Sequence, residues 1–288
     1  MNQPPNTDGP KAALAEALAL HRAGKHELAM QRYVAILQQN PGNIDALYYV
    51  AVLALQQGQI EEGLKVLDRA LEVGPAQARL YNLKGQAQLR QNRDADALAS
   101  FSRAIETDPD FVDAYGNRGT LLSEMGRFQD ALADFDRALA LRPNNPEDLC
   151  NRAGALAGLE RLDEAYGGFS QAIALLPEFA PAYFNRAGVL MRAGRFDDAV
   201  RDYDRAIALY PDHAQSHCNR GIALRELGRL DEALQSFDQA IEIEERSADA
   251  HAGRGHVLMA MDRSDDAKAS FRRARELDAK YAHLAQQN

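Results

Sequence analysis

The sequence has little cysteine and no apolar run long enough to cross a membrane. Its 288 residues include two cysteines, Cys150 and Cys218, too few for a disulfide framework. The longest apolar run, residues 46–55, is shorter than the ~20 residues of a transmembrane helix, so we expect a buried helix there. The amino terminus, MNQPPNTDGP, lacks the basic start and apolar segment of a signal peptide. These absences favour a cytoplasmic location and no membrane insertion.

An excess of basic charge is also missing. The formal net charge is −9 and the isoelectric point is about 5.3, with lysines and arginines scattered among acids. An acidic chain without a concentrated basic patch is poorly suited to binding a phosphate backbone. We therefore expect no nucleic-acid partner.

Motifs of catalysis and metal binding are absent from the sequence. It contains no Gly-rich phosphate loop, HExxH motif, CxxC pair or GxSxG turn. His217 and Cys218 are adjacent, so on a helix their side chains would project about 100° apart, which does not suit a shared metal ion. The sequence predicts a protein that is not an enzyme and that has no metal site and no cofactor.

A 34-residue interval runs through most of the chain. Asn-Arg pairs recur at 117–118, 151–152, 185–186 and 219–220. Prolines follow the same spacing, at positions 41, 75, 109, 143, 177 and 211. A fixed interval of this length indicates a repeat protein rather than two globular domains.

Each repeat contains two amphipathic helical segments with small residues at facing positions. Small residues let two helices approach closely as a hairpin. At the eighth position of the unit they are Ala17, Ala51, Gly85, Gly119, Ala153, Ala187, Gly221 and Gly255. At the twentieth they are Ala29, Gly63, Ala97, Ala131, Ala165, Ala199, Ala233 and Ala267. A glycine, asparagine or aspartate marks most of the turns between the two segments, and Glu160 is the unusual residue there.

The segment AYFNRAGVLMRAGRFDDAVRDYDRAIALYP, residues 182–211, resembles a tetratricopeptide repeat. It has small residues at 187, 199 and 206, an aromatic at 203, a turn glycine at 194 and a closing proline at 211. The resemblance implies an all-α solenoid of eight helical hairpins, wound into a right-handed superhelix whose first helices line a concave groove. The first unit departs from the pattern at Ala13, and the last two units have Glu245 and Ala279 in place of the proline.

The interval divides the chain into a flexible segment 1–9, eight units over residues 10–281 and a short polar cap 282–288. The units are 10–43, 44–77, 78–111, 112–145, 146–179, 180–213, 214–247 and 248–281.

The sixth position of the unit faces the groove in the family that the chain resembles. Four successive units have asparagine there, a set called the Asn series below: Asn117, Asn151, Asn185 and Asn219. A primary amide has an acceptor and two donors, so it can pair with the C=O and N–H groups of an extended peptide. A similar series holds substrate polypeptide in the repeat region of O-GlcNAc transferases. We expect the Asn series to bind peptide and Phe184 to anchor a ligand side chain; the alternative is that the amides solvate the groove or cap local backbone.

The groove positions of the amino-terminal units are apolar. This apolar groove patch comprises Leu14, Leu18, Tyr48, Tyr49, Val52, Leu55, Leu83 and Leu89. Exposed together, these side chains would mark a surface for a partner's amphipathic helix or for self-association into a homo-oligomer. The alternative is that some of them turn into the core between helices.

The seventh position carries arginine beside each asparagine of the Asn series. We expect Arg118, Arg152, Arg186 and Arg220 to be structural, with the stem on apolar surface and the guanidinium on an acid of a second helix. Arg254 occupies the same position in the last unit, and the candidate acids are Asp134, Asp136, Asp202, Asp204 and Asp238.

These expectations favour a non-enzymatic scaffold that binds an extended polypeptide or a helix of a partner protein in its groove. Two alternatives remain open. One is the substrate-recruiting repeat region of a longer modifying enzyme such as a glycosyltransferase. The other is a structural protein that self-assembles through its amino-terminal repeats.

Overall fold

The computed structural model describes residues 8–286, which form α-helices and a final 3-10 helix, without β-strands. Residues 1–7 and 287–288, and with them most of the expected flexible segment, lie outside this range. The chain separates into two compact units, residues 1–141 and 142–288. The helices of the first unit are α1 Asp8–Arg22, α2 His26–Gln39, α3 Ile44–Gln56, α4 Ile60–Val73, α5 Ala78–Leu89, α6 Asp94–Thr107, α7 Val112–Glu124 and α8 Phe128–Leu141. Those of the second unit are α9 Pro146–Gly158, α10 Leu162–Leu175, α11 Ala180–Arg192, α12 Phe196–Leu209, α13 Ala214–Glu226, α14 Leu230–Ile243, α15 Ala248–Ala260 and α16 Ser264–Leu277, followed by the 3-10 helix Ala279–Gln286.

Each odd-numbered helix packs most extensively on the helix that follows it, so both units are series of helical hairpins. The prediction of an all-α fold built from repeated hairpins is confirmed. We call the odd-numbered helix of a hairpin its first helix and the even-numbered one its second helix.

Glycine lets the two helices of a hairpin approach closely. A Cβ added to Gly119 on α7 would lie 2.8 Å from a ring carbon of Phe135 on α8, so no larger residue fits without a shift. In the hairpin α9–α10 the arrangement is reversed. There the first helix has Ala153, and a Cβ on Gly168 of the second helix would lie 2.9 Å from the Ala153 methyl group. Every hairpin therefore keeps a small residue at the crossing, although its position varies.

The turn between the two helices of each hairpin requires one residue with a left-handed backbone conformation, in which φ is positive. Gly194, with φ of 70°, adopts this conformation between α11 and α12. Glu160 adopts φ of 61° between α9 and α10, where a side chain costs about 1–2 kcal/mol. Arg192, at the end of α11, pairs with the Glu160 carboxylate and donates from Nη1 to the Ala157 carbonyl over 2.9 Å. The next hairpin thus holds the strained turn in place.

First helices of neighbouring hairpins also contact one another. In the first unit α3 contacts α5 and α5 contacts α7; in the second, α9 contacts α11 and α13 contacts α15. Neighbouring second helices make at most marginal contact in the described part of the chain. The first helices therefore lie on the tighter, inner side of each unit, and their exposed positions form that inner surface.

The 3-10 helix covers the end of the last hairpin. Leu284 is buried among Leu258, Phe271 and their neighbours, and Lys280 Nζ pairs with Asp249 on α15 over 2.7 Å. The described part of the segment expected to be a polar cap thus contains one buried apolar side chain. None of the helices within residues 8–286 is both long enough and apolar enough to cross a membrane.

Candidate functional site

The Asn series lies on four first helices. Asn151 on α9 and Asn185 on α11 are exposed, whereas Asn219 on α13 and, in the first unit, Asn117 on α7 are half-buried. The inner surface of residues 142–288 therefore presents two exposed amides on adjacent first helices.

Two members of the Asn series contact the fifth position of the preceding first helix. Asn117 Nδ2 donates to Oδ1 of the buried Asn82 over 2.9 Å, and Asn185 Nδ2 lies 3.8 Å from Sγ of Cys150. Asn219 instead accepts a hydrogen bond from Gln215 on its own helix, over 2.8 Å. The contact with Cys150 uses Nδ2 of Asn185 and does not involve its Oδ1.

Open space lies beside the two exposed amides. Gly154 and Gly188 follow Asn151 and Asn185 by three residues, close to one helical turn, and therefore lie on the same face of their helices. A Cβ built at either glycine would have no other group within 4 Å. Unlike Gly119, these glycines serve no helix crossing, and they leave room above the inner surface.

Phe184 borders a cavity of about 240 Å³ next to Asn185, called the aromatic cavity below. Its ring lies edge-to-face with those of Tyr203 and His213, at centroid distances of 5.9 and 5.1 Å. Tyr210, which immediately follows α12, stacks on His213 at 5.7 Å. Sequence reasoning identified Phe184 but missed Tyr210 and His213, because both lie between helices and outside the helical pattern.

Leu55 corrects the expected apolar groove patch, since it is only 4% exposed. Its side chain fills the space left by Gly63 on α4, where a Cβ would lie 2.7 Å from Leu55 Cδ2. The other seven residues are half-buried: Leu14, Leu18, Tyr48, Tyr49, Val52, Leu83 and Leu89. Tyr49 stacks on the buried ring of Tyr33 at 5.6 Å, and burial raises the pKa of Tyr48. Much of the predicted patch is therefore packed against neighbouring helices.

Family models described as tetratricopeptide repeat match most of the chain, over residues 20–87, 78–111, 112–145, 184–250 and 224–287. The chain belongs to the tetratricopeptide-repeat family. The resemblance that the sequence indicated is thereby confirmed. In general terms such a chain is a protein-interaction scaffold, built on a fold that is typically non-enzymatic.

Solved structures of other tetratricopeptide-repeat proteins share the fold. One from Parabacteroides merdae is 20% identical, with a TM-score of 0.68, and the match covers 84% of this chain and 96% of that one. The Cut9–Hcn1 hetero-tetramer of the APC/C matches 98% of this chain and 57% of that one, at 16% identity and a TM-score of 0.70. YrrB, described as a TPR protein with an unusual peptide-binding site, is 25% identical over 65% of this chain and 98% of its own, with a TM-score of 0.53. The search of curated proteins found no match.

The arginines of this tetratricopeptide-repeat protein join the second helices of successive hairpins. Arg118 on α7 donates to both carboxylate oxygens of Asp134 on α8, each over 2.7 Å, and to Oγ of Ser102 on α6 over 3.1 Å. A hydrogen bond to Asp134 raises the pKa of the Arg118 guanidinium, which keeps it charged. Arg186 makes the equivalent contacts with Asp202 and Ser170, and its pKa is raised for the same reason.

Around Arg220 and Arg254 the acid lies on the preceding hairpin and the serine on the arginine's own hairpin, the reverse of the arrangement around Arg118 and Arg186. Arg220 on α13 donates to Asp204 of the preceding hairpin over 2.5 Å and to Ser236 of its own hairpin over 2.7 Å. Arg254 on α15 donates to Asp238 and Ser270 in the same way, over 2.6 and 2.7 Å. Arg118, Arg186, Arg220 and Arg254 therefore each meet one acid and one serine, and Arg152 stands at the same position of α9.

At the fourth position of the unit, histidine in the last two units makes the same contact with a backbone carbonyl as tyrosine does in the unit before them. Tyr183 Oη donates to the Pro177 carbonyl over 3.3 Å. Nε2 of His217 lies 2.9 Å from the Pro211 carbonyl, and Nε2 of His251 lies 3.0 Å from that of Glu245. Within residues 8–286 no group of His, Cys, Asp and Glu side chains is arranged to hold a metal ion.

Proposed function

We propose that the inner surface of residues 142–288 binds an extended polypeptide segment of a partner protein, with Asn151 and Asn185 hydrogen-bonding to its main chain. The observation that carries the proposal is the pair of exposed amides on α9 and α11, each beside a glycine with open space above it. A peptide backbone approaching over Gly154 and Gly188 would reach both amides without displacing a side chain.

The Asn series extends this surface along the chain. Asn219 lies on α13, where it hydrogen-bonds to Gln215 and Tyr203, and it would exchange these bonds for bonds to a ligand. Each amide can satisfy one N–H or C=O group of a main chain, whatever the side chains of that segment. A row of amides therefore suits a scaffold that accepts more than one sequence. The peptide-binding site described for YrrB supports a peptide as the ligand class.

The first test replaces the three amides of residues 142–288 together. The triple variant Asn151→Ala, Asn185→Ala, Asn219→Ala should weaken binding of peptides selected from a random-sequence display library on the intact chain. Each lost hydrogen bond is worth roughly 0.5–1.5 kcal/mol, so we expect the loss of three to lower the affinity about tenfold to two-thousandfold, measured by fluorescence anisotropy. Gln171→Ala removes an exposed amide from the second helix α10 and is the matched control. Equal affinity of the triple variant and the control would reject the role of the Asn series.

The second test fills the open space instead of removing the amides. Gly188→Leu places a side chain beside Asn185 and favours the helix, so it should abolish peptide binding while the chain stays folded. Gly167→Leu on α10 is the matched control, because a Cβ there also has no other group within 4 Å, but on a second helix. If both variants bind peptide as the parent chain does, the peptide does not pass over Gly188.

A further inference from the structure

We propose that the aromatic cavity holds one aromatic side chain of the bound polypeptide and so sets the position of that polypeptide along the inner surface. The inference rests on the proposed function, since Asn185 borders the cavity and would hold the main chain next to the inserted residue. The Asn series tolerates many sequences, and the aromatic cavity supplies the selectivity that it lacks.

The rings around the cavity are arranged to receive another ring. Phe184 and His213 lie edge-to-face, with an interplanar angle of 81°, and Tyr210 lies nearly parallel to His213, at 22°. Aromatic pairs favour edge-to-face or offset-stacked contacts at centroid distances of roughly 4.5–7 Å. Ala180, Pro181 and Ala206 complete the apolar part of the lining. The volume of about 240 Å³ leaves room for one ring system between these groups.

The lining of the aromatic cavity offers no counter-charge to a charged occupant. The lining contains no Asp, Glu, Lys or Arg side chain. Nδ1 of His213 lies 2.6 Å from Oγ of Ser216, a residue that is fully buried, so these two polar groups satisfy each other. A lysine or glutamate entering the cavity would lose hydration without gaining a counter-charge, which is unfavourable. A neutral aromatic side chain meets no such cost.

Tyr210 makes this junction between hairpins different from the others. It is 56% exposed although its ring stacks on His213, so an occupant would cover apolar surface that now faces water. The corresponding residues of the adjacent hairpins are Leu176 and Glu244, neither of which is aromatic. One aromatic anchor next to Asn185 would therefore fix a single alignment of a segment that the amides alone could bind in several.

The test uses the absence of tryptophan from the chain. The probe is the blocked peptide acetyl-Gly-Ser-Gly-Trp-Gly-Ser-Gly-amide, whose indole fluorescence then reports only on the peptide. We expect a saturable shift of its emission to shorter wavelength on titration with the full chain. In competition, the peptide with phenylalanine at the centre should bind roughly tenfold more tightly than those with alanine or lysine.

Variants connect this preference to the aromatic cavity. Tyr210→Ala and His213→Ala should each lower the affinity for the tryptophan peptide roughly tenfold, towards that of the alanine peptide. Leu176→Ala alters the corresponding exposed residue of the preceding hairpin and should leave the affinity unchanged. Circular dichroism verifies that the variants retain their helices.

The outcomes separate the two proposals. If peptides bind without preference for a central aromatic residue, and Asn185→Ala weakens all of them equally, the aromatic cavity is not the anchor but the proposed function stands. A preference that persists in both Tyr210→Ala and His213→Ala, or that Leu176→Ala reduces equally, also overturns the assignment. If none of these peptides binds the intact chain and the display library yields no binder, both proposals fail.

Discussion

The guanidinium of Arg186 on α11 donates to both carboxylate oxygens of Asp202 on α12, over 2.7 and 2.8 Å. The two side chains are only 17% and 10% exposed, so little water could replace either partner. An ion pair of this kind is costly to break from one side, because the remaining charge stays buried without compensation.

Removing Arg186 should therefore be strongly destabilising. We expect Arg186→Ala to lower the free energy of unfolding by about 3–5 kcal/mol, measured by urea unfolding followed by circular dichroism. Arg220→Ala is the control, because Asp204, its partner, is 50% exposed and can be rehydrated, so the loss should be closer to 1 kcal/mol. If both variants lose the same unfolding free energy, burial of the acid does not determine the cost of removing its arginine.

Two glycine-to-alanine substitutions should have opposite effects on stability. Gly119→Ala forces a methyl group against the Phe135 ring and should cost about 1–3 kcal/mol. Gly154→Ala lies in open space within α9 and should raise the free energy of unfolding by up to about 1 kcal/mol through helix propensity. Thermal unfolding of the two variants beside the parent chain measures both. A destabilised Gly154→Ala variant would show that the space above α9 is not open.

The turn at Glu160 predicts a coupling between two residues. Glu160→Gly relieves the left-handed conformation but also removes the ion pair to Arg192, so in the parent chain the two effects should nearly cancel. In the Arg192→Ala background only the relief remains, and Glu160→Gly should stabilise by about 1 kcal/mol. A double-mutant cycle of unfolding free energies gives this difference. Identical effects in both backgrounds would mean that Arg192 does not support the turn.

His256 on α15 should make stability fall in mild acid. Its ring is packed edge-to-face on Phe271 at 5.0 Å, and burial, with a smaller effect of Arg225, lowers its pKa in the folded chain. Below about pH 6.5 the unfolded chain takes up a proton that the folded chain resists, so stability is lost as the pH falls; above it both states are neutral.

The matched variant for this pH effect is His256→Asn. Between pH 7 and pH 5 the parent chain should lose more unfolding free energy than the variant, at up to about 1.4 kcal/mol per pH unit. From pH 7.5 to 8.5 the two stability curves should run parallel. Parallel curves down to pH 5 would show that burial of His256 does not shift its protonation.

The hairpin fold was predictable because its determinants are local and recur. A turn residue such as Gly194, a small residue at the helix crossing and an apolar face each act within one unit, and the 34-residue interval superimposes several independent copies of the same signal. The prediction that arginines meet acids of second helices used the same repetition. It named Asp134 and Asp202 as candidates, and the structure places both on arginines of their own hairpins.

Details that depend on contacts between hairpins were not predictable from the repeat pattern. Ser102 joins the Arg118 pair only because α6 packs next to α7, a relation that a single unit does not reveal. Leu55 is buried because Gly63 leaves a gap across the hairpin, and the Leu55 side chain fills this gap instead of facing the groove. Tyr210 and His213 carry no helical pattern, and only the folded chain brings them beside Phe184.

The exchange of acid and serine around the arginines restricts how the hairpins can be reordered. Deleting residues 180–213 would leave Arg220 between Ser170 and Ser236, with a serine at both of its hydrogen-bonding positions and a carboxylate at neither. Deleting residues 214–247 would leave Arg254 between Asp204 and Ser270, one acid and one serine as before. Two deletions of equal length thus differ in whether the next arginine keeps an acid as a hydrogen-bonding partner. The loss or duplication of a single repeat, a common way for such arrays to change length, is compatible with some neighbours in this chain and incompatible with others.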